Sequence, residues 1–305
     1  MAAGMINPLV FRRMTKSWRV DELTPFLYAF YSEVEDLTNS SFFHPITIRR
    51  MFSSEQEREL WLKKQELPGF AKYMTTITPD DTSYARAINN FGSGRVKKSA
   101  YVDTSIFLDA IKTWIHANGT ILKTDFKYND LDGSTYQGVH YDHIIFCEGY
   151  LGKANPWFGQ LPLSQTKGET LTFRAMNVPE DESLNRKCFV LPLGKQTFKV
   201  GSTYVWNTSD VNITPEGRQH ILDNLSYLID AEVQVIDQAA GVRPTTSDRR
   251  PLIGTHETRK NYHIFNGLGT KGYMLAPLLS MEFVDYLLND TPLDAEVNIN
   301  RHYKQ

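Results

Sequence analysis

The sequence feature that most constrains the fold is a glycine-rich turn near the C-terminus. An apolar segment, residues 262–265, runs directly into GLGTKG at residues 267–272, and a helix-like segment follows. This G-x-G-x-x-G pattern lets backbone N–H groups at the start of a helix approach an anionic group. The chain ends at Gln305, before the second strand that a dinucleotide-binding βαβ unit requires. The pattern predicts a strand, turn and helix that hold an electron-poor or anionic group without forming the usual phosphate-binding turn.

Four helices are predicted from their start and stop signals. Ser54 and Glu57 form a capping box before an apolar segment, and Gly119 is a plausible stop for the helix that precedes it. Pro215 stands at a first helical position, directly after Thr214. The predicted helices begin near residue 54, run over residues 104–118, begin at residue 215, and run over residues 273–288.

Strands are predicted between these helices. The turn-rich NDLDG predicts a hairpin that pairs residues 121–128 with residues 135–141. Residues 143–147 are a short apolar run, which is typical of a buried parallel strand. A largely antiparallel sheet is predicted from four further segments, residues 171–176, 188–191, 197–202 and 232–236.

Composition excludes several classes of protein. The net charge is −2, from 33 basic and 35 acidic residues, which argues against nucleic acid as a partner. Cys147 and Cys188 are far apart, so neither a disulfide framework nor a zinc site is indicated. His140 and His143 are three residues apart in a strand-like region and would face opposite sides, a poor pair for a metal. No signal peptide or transmembrane segment is evident, which favours a cytoplasmic protein.

The chain resembles the glycine oxidase/D-amino-acid oxidase (DAO) family of FAD-dependent oxidoreductases in six motifs and in their order and spacing. The resemblance covers residues 2 to about 289. The motifs are AAGM at residues 2–5, IIFCEGYLG at 144–152, KGE at 167–169, KVGSTY at 199–204, GVRP…D…PLIG at 241–254, and GLGTKGYMLAP at 267–277.

The resemblance implies an α/β plus α+β fold in which an FAD-binding Rossmann-like domain is interleaved with an antiparallel-sheet substrate domain. The FAD-binding domain would comprise residues 1–20, 95–170 and 240–305, and the substrate domain residues 21–94 and 171–239. Family members begin with a strand, a G-x-G-x-x-G turn and a helix before the AAGM-like loop. Here that loop stands at residues 2–5, so we expect an N-terminally truncated domain that lacks the first dinucleotide-binding βαβ unit.

Arg243 is the first candidate for binding a substrate, since it matches the arginine that holds the substrate carboxylate in the family. A guanidinium group offers a rigid fork of donors suited to a carboxylate. The alternative is a structural arginine that pairs with Asp248 or caps backbone carbonyl groups.

The resemblance also implies a set of residues that contact non-covalently bound FAD. In the C-terminal turn, the helix dipole and Lys271 would stabilise negative charge on the flavin. For the C-terminal turn, the alternative is a tight turn that needs glycine only for its backbone conformation. For the N-terminal residues it is a disordered terminus, and for Gly149 an ordinary turn. The implied cofactor-binding residues are Ala3, Gly4, Met5, Gly149, Gly267, Gly269, Thr270, Lys271 and Gly272.

Three aromatic residues are candidates for the substrate pocket. Phe189 stands where glycine-oxidase-like members carry a tyrosine that helps to hold the substrate carboxylate, and phenylalanine cannot donate that hydrogen bond. Tyr204 matches a position near the flavin and is a candidate catalytic residue. Trp206 is a candidate pocket wall. For Phe189 and Trp206 the alternative is packing in the core, and their size and apolar character favour it.

The function implied by the resemblance is oxidation of the C–N bond of an amino acid or secondary amine, by hydride transfer to flavin N5. The partners would be that small-molecule substrate and O2 or another electron acceptor. Two alternatives stay open. A truncated family member could be non-catalytic and bind FAD weakly or not at all, and related domains act on a modified tRNA base, although the near-neutral charge argues against that substrate.

Overall fold

The computed structural model of the chain describes residues 3–75 and 84–303. The helices are α1 (Val20–Thr38), α2 (Glu55–Gln65), α3 (Pro68–Ala71), α4 (Thr104–Asn118), α5 (Pro215–Ser226) and α6 (Gly272–Leu288). The strands are β1 (Met5–Ile6), β2 (Leu9–Val10), β3 (Thr15–Lys16), β4 (Phe43–Pro45), β5 (Thr47–Met51), β6 (Ser93–Val96), β7 (Ala100–Val102), β8 (Leu131–Asp132), β9 (Thr135–Tyr136), β10 (Val139–His140), β11 (Ile144–Phe146), β12 (Leu163–Arg174), β13 (Glu182–Arg186), β14 (Cys188–Gly194), β15 (Thr197–Gly201), β16 (Val205–Trp206), β17 (Gln234–Thr246), β18 (Leu252–Thr255) and β19 (Tyr262–Asn266).

The chain forms two compact units, and each is built from segments that are distant in sequence. Unit 1 comprises Met1–Ile111, Gly168–Tyr204 and Val211–Gly241. Unit 2 comprises Lys112–Lys167, Val205–Asp210 and Val242–Gln305. The boundaries fall inside α4, β12 and β17, so these elements pass from one unit into the other.

Unit 1 is organised around a mixed sheet in which β12, β15, β14 and β13 are antiparallel neighbours, β13 is parallel to β5, and β5 is antiparallel to β6. Its core gathers apolar side chains of β12 to β15 with Ile221 and Leu225 of α5. These two residues are one helical turn apart and therefore lie on one face of α5. A smaller sheet, in the order β1–β7–β4, lies in the same unit.

Unit 2 contains the parallel pair β11–β19, with β18 antiparallel to β19. β19 is buried along nearly its whole length, as expected for a strand that is covered on both faces. Phe146, at the end of β11, contacts Trp157 and Tyr262 with ring centroids 5.4 Å and 5.9 Å away. These rings belong to an apolar core that fixes where the turns after β11 and β19 begin.

The four predicted helices are confirmed as α2, α4, α5 and α6. Ser54 caps α2 by accepting a hydrogen bond from the backbone N–H of Glu57, and Thr214 caps α5 by accepting one from Gly217. The predicted parallel strand at residues 143–147 is confirmed as β11. Helix α1 was not predicted, although its buried residues recur at helical spacing.

The hairpin predicted around NDLDG is wrong in its position and register. Residues 121–128 form no long strand, and β8, β9 and β10 instead make a three-stranded meander. Its turns fall at Gly133 and at Gln137–Gly138, where all three residues have positive φ. Positive φ favours tight two-residue turns, so the chain turns at the last residue of NDLDG and again four residues later, and the strands are short. Within the described ranges, no helix has the length and apolar character needed to cross a membrane.

Candidate functional site

The glycine turn of unit 2 joins β19 to α6 in the way its sequence predicts. Gly267 is buried with φ of 74°, and a Cβ there would lie 3.0 Å from Thr246 Cγ2 and 3.2 Å from Leu252 N. Gly269 begins a short 3-10 turn with φ of 58°, and α6 begins at Gly272. The turn therefore needs glycine at position 267 for both conformation and space, and it directs the first backbone N–H groups of a 17-residue helix toward one end of β19.

Lys271 stands directly before α6 and is half-buried, whereas the neighbouring Thr270 is exposed. Burial lowers the pKa of Lys271 to about 8. An ammonium group in this position is costly to keep charged, and a nearby anion would favour its charged form. The helix dipole adds to the same positive electrostatic potential.

Asn266 connects the turn after β19 to the turn after β11. Its side-chain amide donates to the carbonyl of Gly149 at 2.8 Å and accepts from the backbone N–H of Gly267, also at 2.8 Å. Gly149 has φ of 58°, and no atom lies within 4 Å of the position that a Cβ would occupy. At Gly269 the nearest atom to such a position is 3.9 Å away. Gly149 therefore borders open space, whereas the Cβ position of Gly269 is in van der Waals contact with Thr245.

Arg243 lies on β17, two residues before Thr245. Because alternate residues of a strand share a face, the two side chains lie on the same side of β17. The Thr245 methyl group is the atom 3.9 Å from the Cβ position of Gly269, and its hydroxyl is 2.9 Å from that of Thr166. This places the arginine and the glycine turn along one face. Of the two alternative roles of Arg243, pairing with Asp248 is not seen, since Asp248 pairs with Arg301 at 3.1 Å. A backbone carbonyl, that of Lys167, instead accepts a 3.5 Å hydrogen bond from Arg243.

A second cation lies beside Arg243. Lys167 is buried and pairs with Asp210 at 2.7 Å, while its backbone carbonyl accepts a long hydrogen bond of 3.5 Å from Arg243. Trp206, which pairs with Thr166 in the same region, is 61% exposed. Packing of Trp206 in the core, which the sequence favoured, is therefore wrong. Sequence reasoning gave no role to the Lys167–Asp210 pair, because only the fold brings residues 43 positions apart into contact.

The N-terminal candidates lie in unit 1. Gly4 is buried with φ of 71°, and a Cβ there would overlap the backbone carbonyl of Val102. The carbonyl of Gly4 also accepts a 3.0 Å hydrogen bond from Val102 N. Met5 pairs with Tyr101 at the start of β1, and Ala3 is half-buried. The packing of β1 on β7 accounts for glycine at position 4.

Phe189 and Tyr204 also lie in unit 1. Phe189 is half-buried on β14, where its ring reaches to 3.3 Å from the Cβ position of Gly201, and Tyr204 is 53% exposed. The chain before Tyr204 is anchored by Glu169, whose backbone N–H donates to the Thr203 hydroxyl at 2.8 Å. The buried Glu169 carboxylate accepts three hydrogen bonds, from Thr214 N, the Thr214 hydroxyl and the Gln238 amide. The KGE motif contributes to the family resemblance, but its pattern does not indicate this anchoring role.

The unit 2 arrangement fits the part of a flavin that becomes negative on reduction. Gly149 leaves open space for a planar group, and the N-terminus of α6 and Lys271 supply positive potential. Arg243 on the adjoining face of β17 supplies a fork of donors for a carboxylate. The structure thus brings together Arg243, Gly149 and the turn at 267–272.

A family model described as FAD dependent oxidoreductase, DAO, matches residues 2–286. The chain belongs to this family. The resemblance carried by the six motifs is thereby confirmed, and FAD is the cofactor of the family.

Relatives and solved structures agree with that assignment. A protein of Rhizobium etli described as the thiamine biosynthesis oxidoreductase ThiO is 29% identical over 161 residues, which are 50% of this chain and 46% of that protein. The chain thus spans less than half the length of this curated relative. Glycine oxidase from Geobacillus kaustophilus superposes with a TM-score of 0.81 at 20% identity, covering 99% of this chain and 88% of that one. Iminodiacetate oxidase from Chelativorans sp. BNC1 superposes with a TM-score of 0.78 at 15% identity, covering 97% and 88%.

These structural matches show the fold. The predicted α/β plus α+β class is confirmed. In this chain the fold combines a parallel strand pair with a largely antiparallel sheet. The predicted domain limits and the role of each site residue stay predictions.

Proposed function

We propose that this chain is an FAD-dependent oxidoreductase that oxidises the C–N bond of a small amine or amino acid carrying a carboxylate. The observation that carries the proposal is the shared face of Arg243 and the turn at 267–272, connected through Thr245. A carboxylate held by the arginine would place the adjoining carbon and amine on the face of β17 that adjoins the glycine turn.

The residues proposed to hold the cofactor are those of the turns after β11 and β19. Gly149 and Gly269 would allow close approach of a planar ring, while the N-terminus of α6 and Lys271 would balance negative charge on it. FAD, when bound, accepts a hydride and so supplies the redox chemistry that amino-acid side chains lack. Ala3, Gly4 and Met5 stay proposed cofactor contacts, although the geometry of Gly4 is already explained by Val102.

The chain's own residues contribute orientation and electrostatics. Arg243 would bind the substrate carboxylate in a bidentate manner and so fix which carbon faces the cofactor. The Lys167–Asp210 pair supports the strand segment whose carbonyl contacts Arg243. Tyr204 is proposed to offer a hydroxyl to the substrate, which Phe189 cannot do. Trp206 is proposed as a wall of the pocket.

Cofactor binding is tested first, by titrating the purified chain with FAD and recording absorption spectra. Flavin that co-elutes with the protein supports the proposal. A protein that stays colourless with excess FAD contradicts it and supports the alternative of a non-catalytic family member. Glycine, sarcosine and D-amino acids are then screened without oxygen for bleaching of the bound flavin, and oxygen and artificial acceptors for its reoxidation.

The role of Arg243 is tested with Arg243→Ala and Arg243→Lys. We expect the KM for the substrate to rise about a hundredfold or more in Arg243→Ala, because a charge-assisted bidentate pair is lost, with a smaller rise in Arg243→Lys. FAD affinity should stay within about threefold. Arg250→Ala is a matched control, since Arg250 pairs with Glu296 at 2.6 Å in the same unit. Equal losses of substrate and FAD binding in Arg243→Ala contradict the assigned role.

A further inference from the structure

Unit 2 contains a cavity at the end of β11 opposite the candidate site. The cavity has a volume of about 300 Å³ and is lined by residues before and at the beginning of β11, including Tyr141, His143 and Ile144. Gly149 follows the other end of this strand. The cavity therefore has no residue in common with the candidate flavin site.

The walls of the cavity are largely aromatic and aliphatic. Phe126 and Tyr136 stack on each other with centroids 4.5 Å apart and an interplanar angle of 21°. Leu122 and Tyr141 contribute further apolar surface, and both stay exposed, at 58% and 38%. Exposed flat rings around a small cavity favour a planar apolar ligand, because the ligand would cover surface that the chain leaves in contact with solvent.

A chain of hydrogen bonds ends at the cavity. The Tyr286 hydroxyl donates to the Thr255 hydroxyl oxygen at 2.9 Å, and Thr255 Oγ1 lies 2.8 Å from His263 Nδ1. His263 Nε2 lies 3.0 Å from His143 Nδ1. All four residues belong to unit 2, and His143 lines the cavity while His263 is 2% exposed.

One assignment of protons gives each donor in this chain a partner. In this assignment Tyr286 donates to Thr255, the Thr255 hydroxyl donates to His263 Nδ1, and the His263 proton sits on Nε2 and points to His143 Nδ1. The proton of neutral His143 is consequently on Nε2, the outward nitrogen. Burial, followed by the effect of His143, lowers the pKa of His263 to about 4, so the inner ring is neutral at pH 7.

We propose that this cavity binds a small planar aromatic molecule that carries a hydrogen-bond acceptor, with the acceptor held by His143 Nε2–H. The ring lies against Phe126, Tyr136 and Tyr141. The chain of hydrogen bonds from Tyr286 to the buried His263 fixes the tautomer of His143 and so selects a carbonyl or similar acceptor over a donor group. This site does not depend on the flavin or on the proposed oxidation.

The test uses benzamide, which combines a flat ring with a carbonyl acceptor, and isothermal titration calorimetry on the full chain. We expect a dissociation constant of about 0.1–1 mM, which is ordinary for a ligand of this size. Toluene, without an acceptor, and cyclohexanecarboxamide, without a flat ring, should each bind about tenfold more weakly. No heat and no saturation-transfer NMR signal with benzamide at 5 mM, about five times the weaker expected constant, overturns the proposal.

Three variants locate the site. His143→Ala should weaken benzamide binding about tenfold, whereas His140→Ala, which removes an exposed histidine outside the cavity, should leave it unchanged. Thr255→Val breaks the chain of hydrogen bonds without touching the cavity. It should weaken benzamide about threefold, leave toluene unchanged and shift the ¹⁵N resonances of the His143 ring. Equal affinity for benzamide in all three variants overturns the proposal, and circular dichroism confirms that each variant is folded.

Discussion

Gly4 in unit 1 and Gly149 in unit 2 both have positive φ, of 71° and 58°, and both are predicted contacts of the flavin. Their surroundings differ. The space where Gly4 would carry a Cβ is filled by the carbonyl of Val102, whereas no atom lies within 4 Å of the same position at Gly149. The fold alone explains the first glycine, and only the second leaves room for a ligand. A glycine matched by sequence is therefore evidence for a cofactor only when its own chain does not already require it.

The largest expected effect is that of Gly4→Ala. A methyl group there overlaps a backbone carbonyl that cannot move without shifting β7, and the residue must also keep positive φ. We expect the free energy of unfolding to fall by about 4 kcal/mol or more. Urea denaturation measures this, and a change below about 1 kcal/mol would show that β1 and β7 separate easily.

The pH dependence of stability tests the interior of unit 2. The pKa of His263 is lowered to about 4 in the folded chain from the ordinary 6.5, so the folded state prefers the neutral ring. This contribution is fully present above pH 6.5 and is lost as the pH falls toward 4. Its slope is about 1.4 kcal/mol per pH unit.

The measurement compares urea denaturation of the wild type and His263→Phe between pH 7 and pH 5. The variant should lack this part of the slope, while His116→Gln, at an exposed position of α4, should retain it. The same slope in His263→Phe and the wild type contradicts the expectation.

The comparison between the two glycines is sharpened by Gly149→Ala. An alanine with positive φ costs about 1–2 kcal/mol of stability, and we expect FAD affinity to fall at least about tenfold because the methyl group occupies the open space. Gly138→Ala is the matched control, since Gly138 also has positive φ, at 80°, and no atom within 4 Å of its Cβ position. It should show the same loss of stability and unchanged FAD affinity. Parallel behaviour of the two variants in FAD titrations would place the cofactor away from Gly149.

The smallest expected effect is that of Lys271→Met, which removes a charge beside the glycine turn. We expect FAD affinity at pH 7 to fall about fivefold. The pKa of Lys271 is about 8, so the wild-type lysine loses its charge as the pH rises through that value. Wild-type affinity should then approach that of the variant at pH 9. A constant ratio of the two dissociation constants from pH 7 to pH 9 would remove Lys271 from the site.

Local sequence was sufficient where a short segment sets its own conformation. The caps at Ser54 and Thr214 and the turn from β19 into α6 all depend on neighbouring residues, and all formed as predicted. The hairpin predicted around NDLDG was wrong in register, because the chain turns at the last residue of that motif, Gly133, and again at Gln137–Gly138. Helix α1 was missed, since its buried residues, such as Leu23 and Leu27, were not read as one helical stripe.

Contacts between distant residues were beyond the reach of sequence patterns. The order of motifs and the strand–turn–helix at residues 262–288 were sufficient to identify the family and its cofactor. The tertiary structure decided three contacts. Val102 fills the space at Gly4, and Asn266 joins the two turns of unit 2. His143 and His263 meet although they are 120 positions apart. The physical reason is that caps and turns are local interactions, whereas open space and buried hydrogen bonds depend on which strands become neighbours.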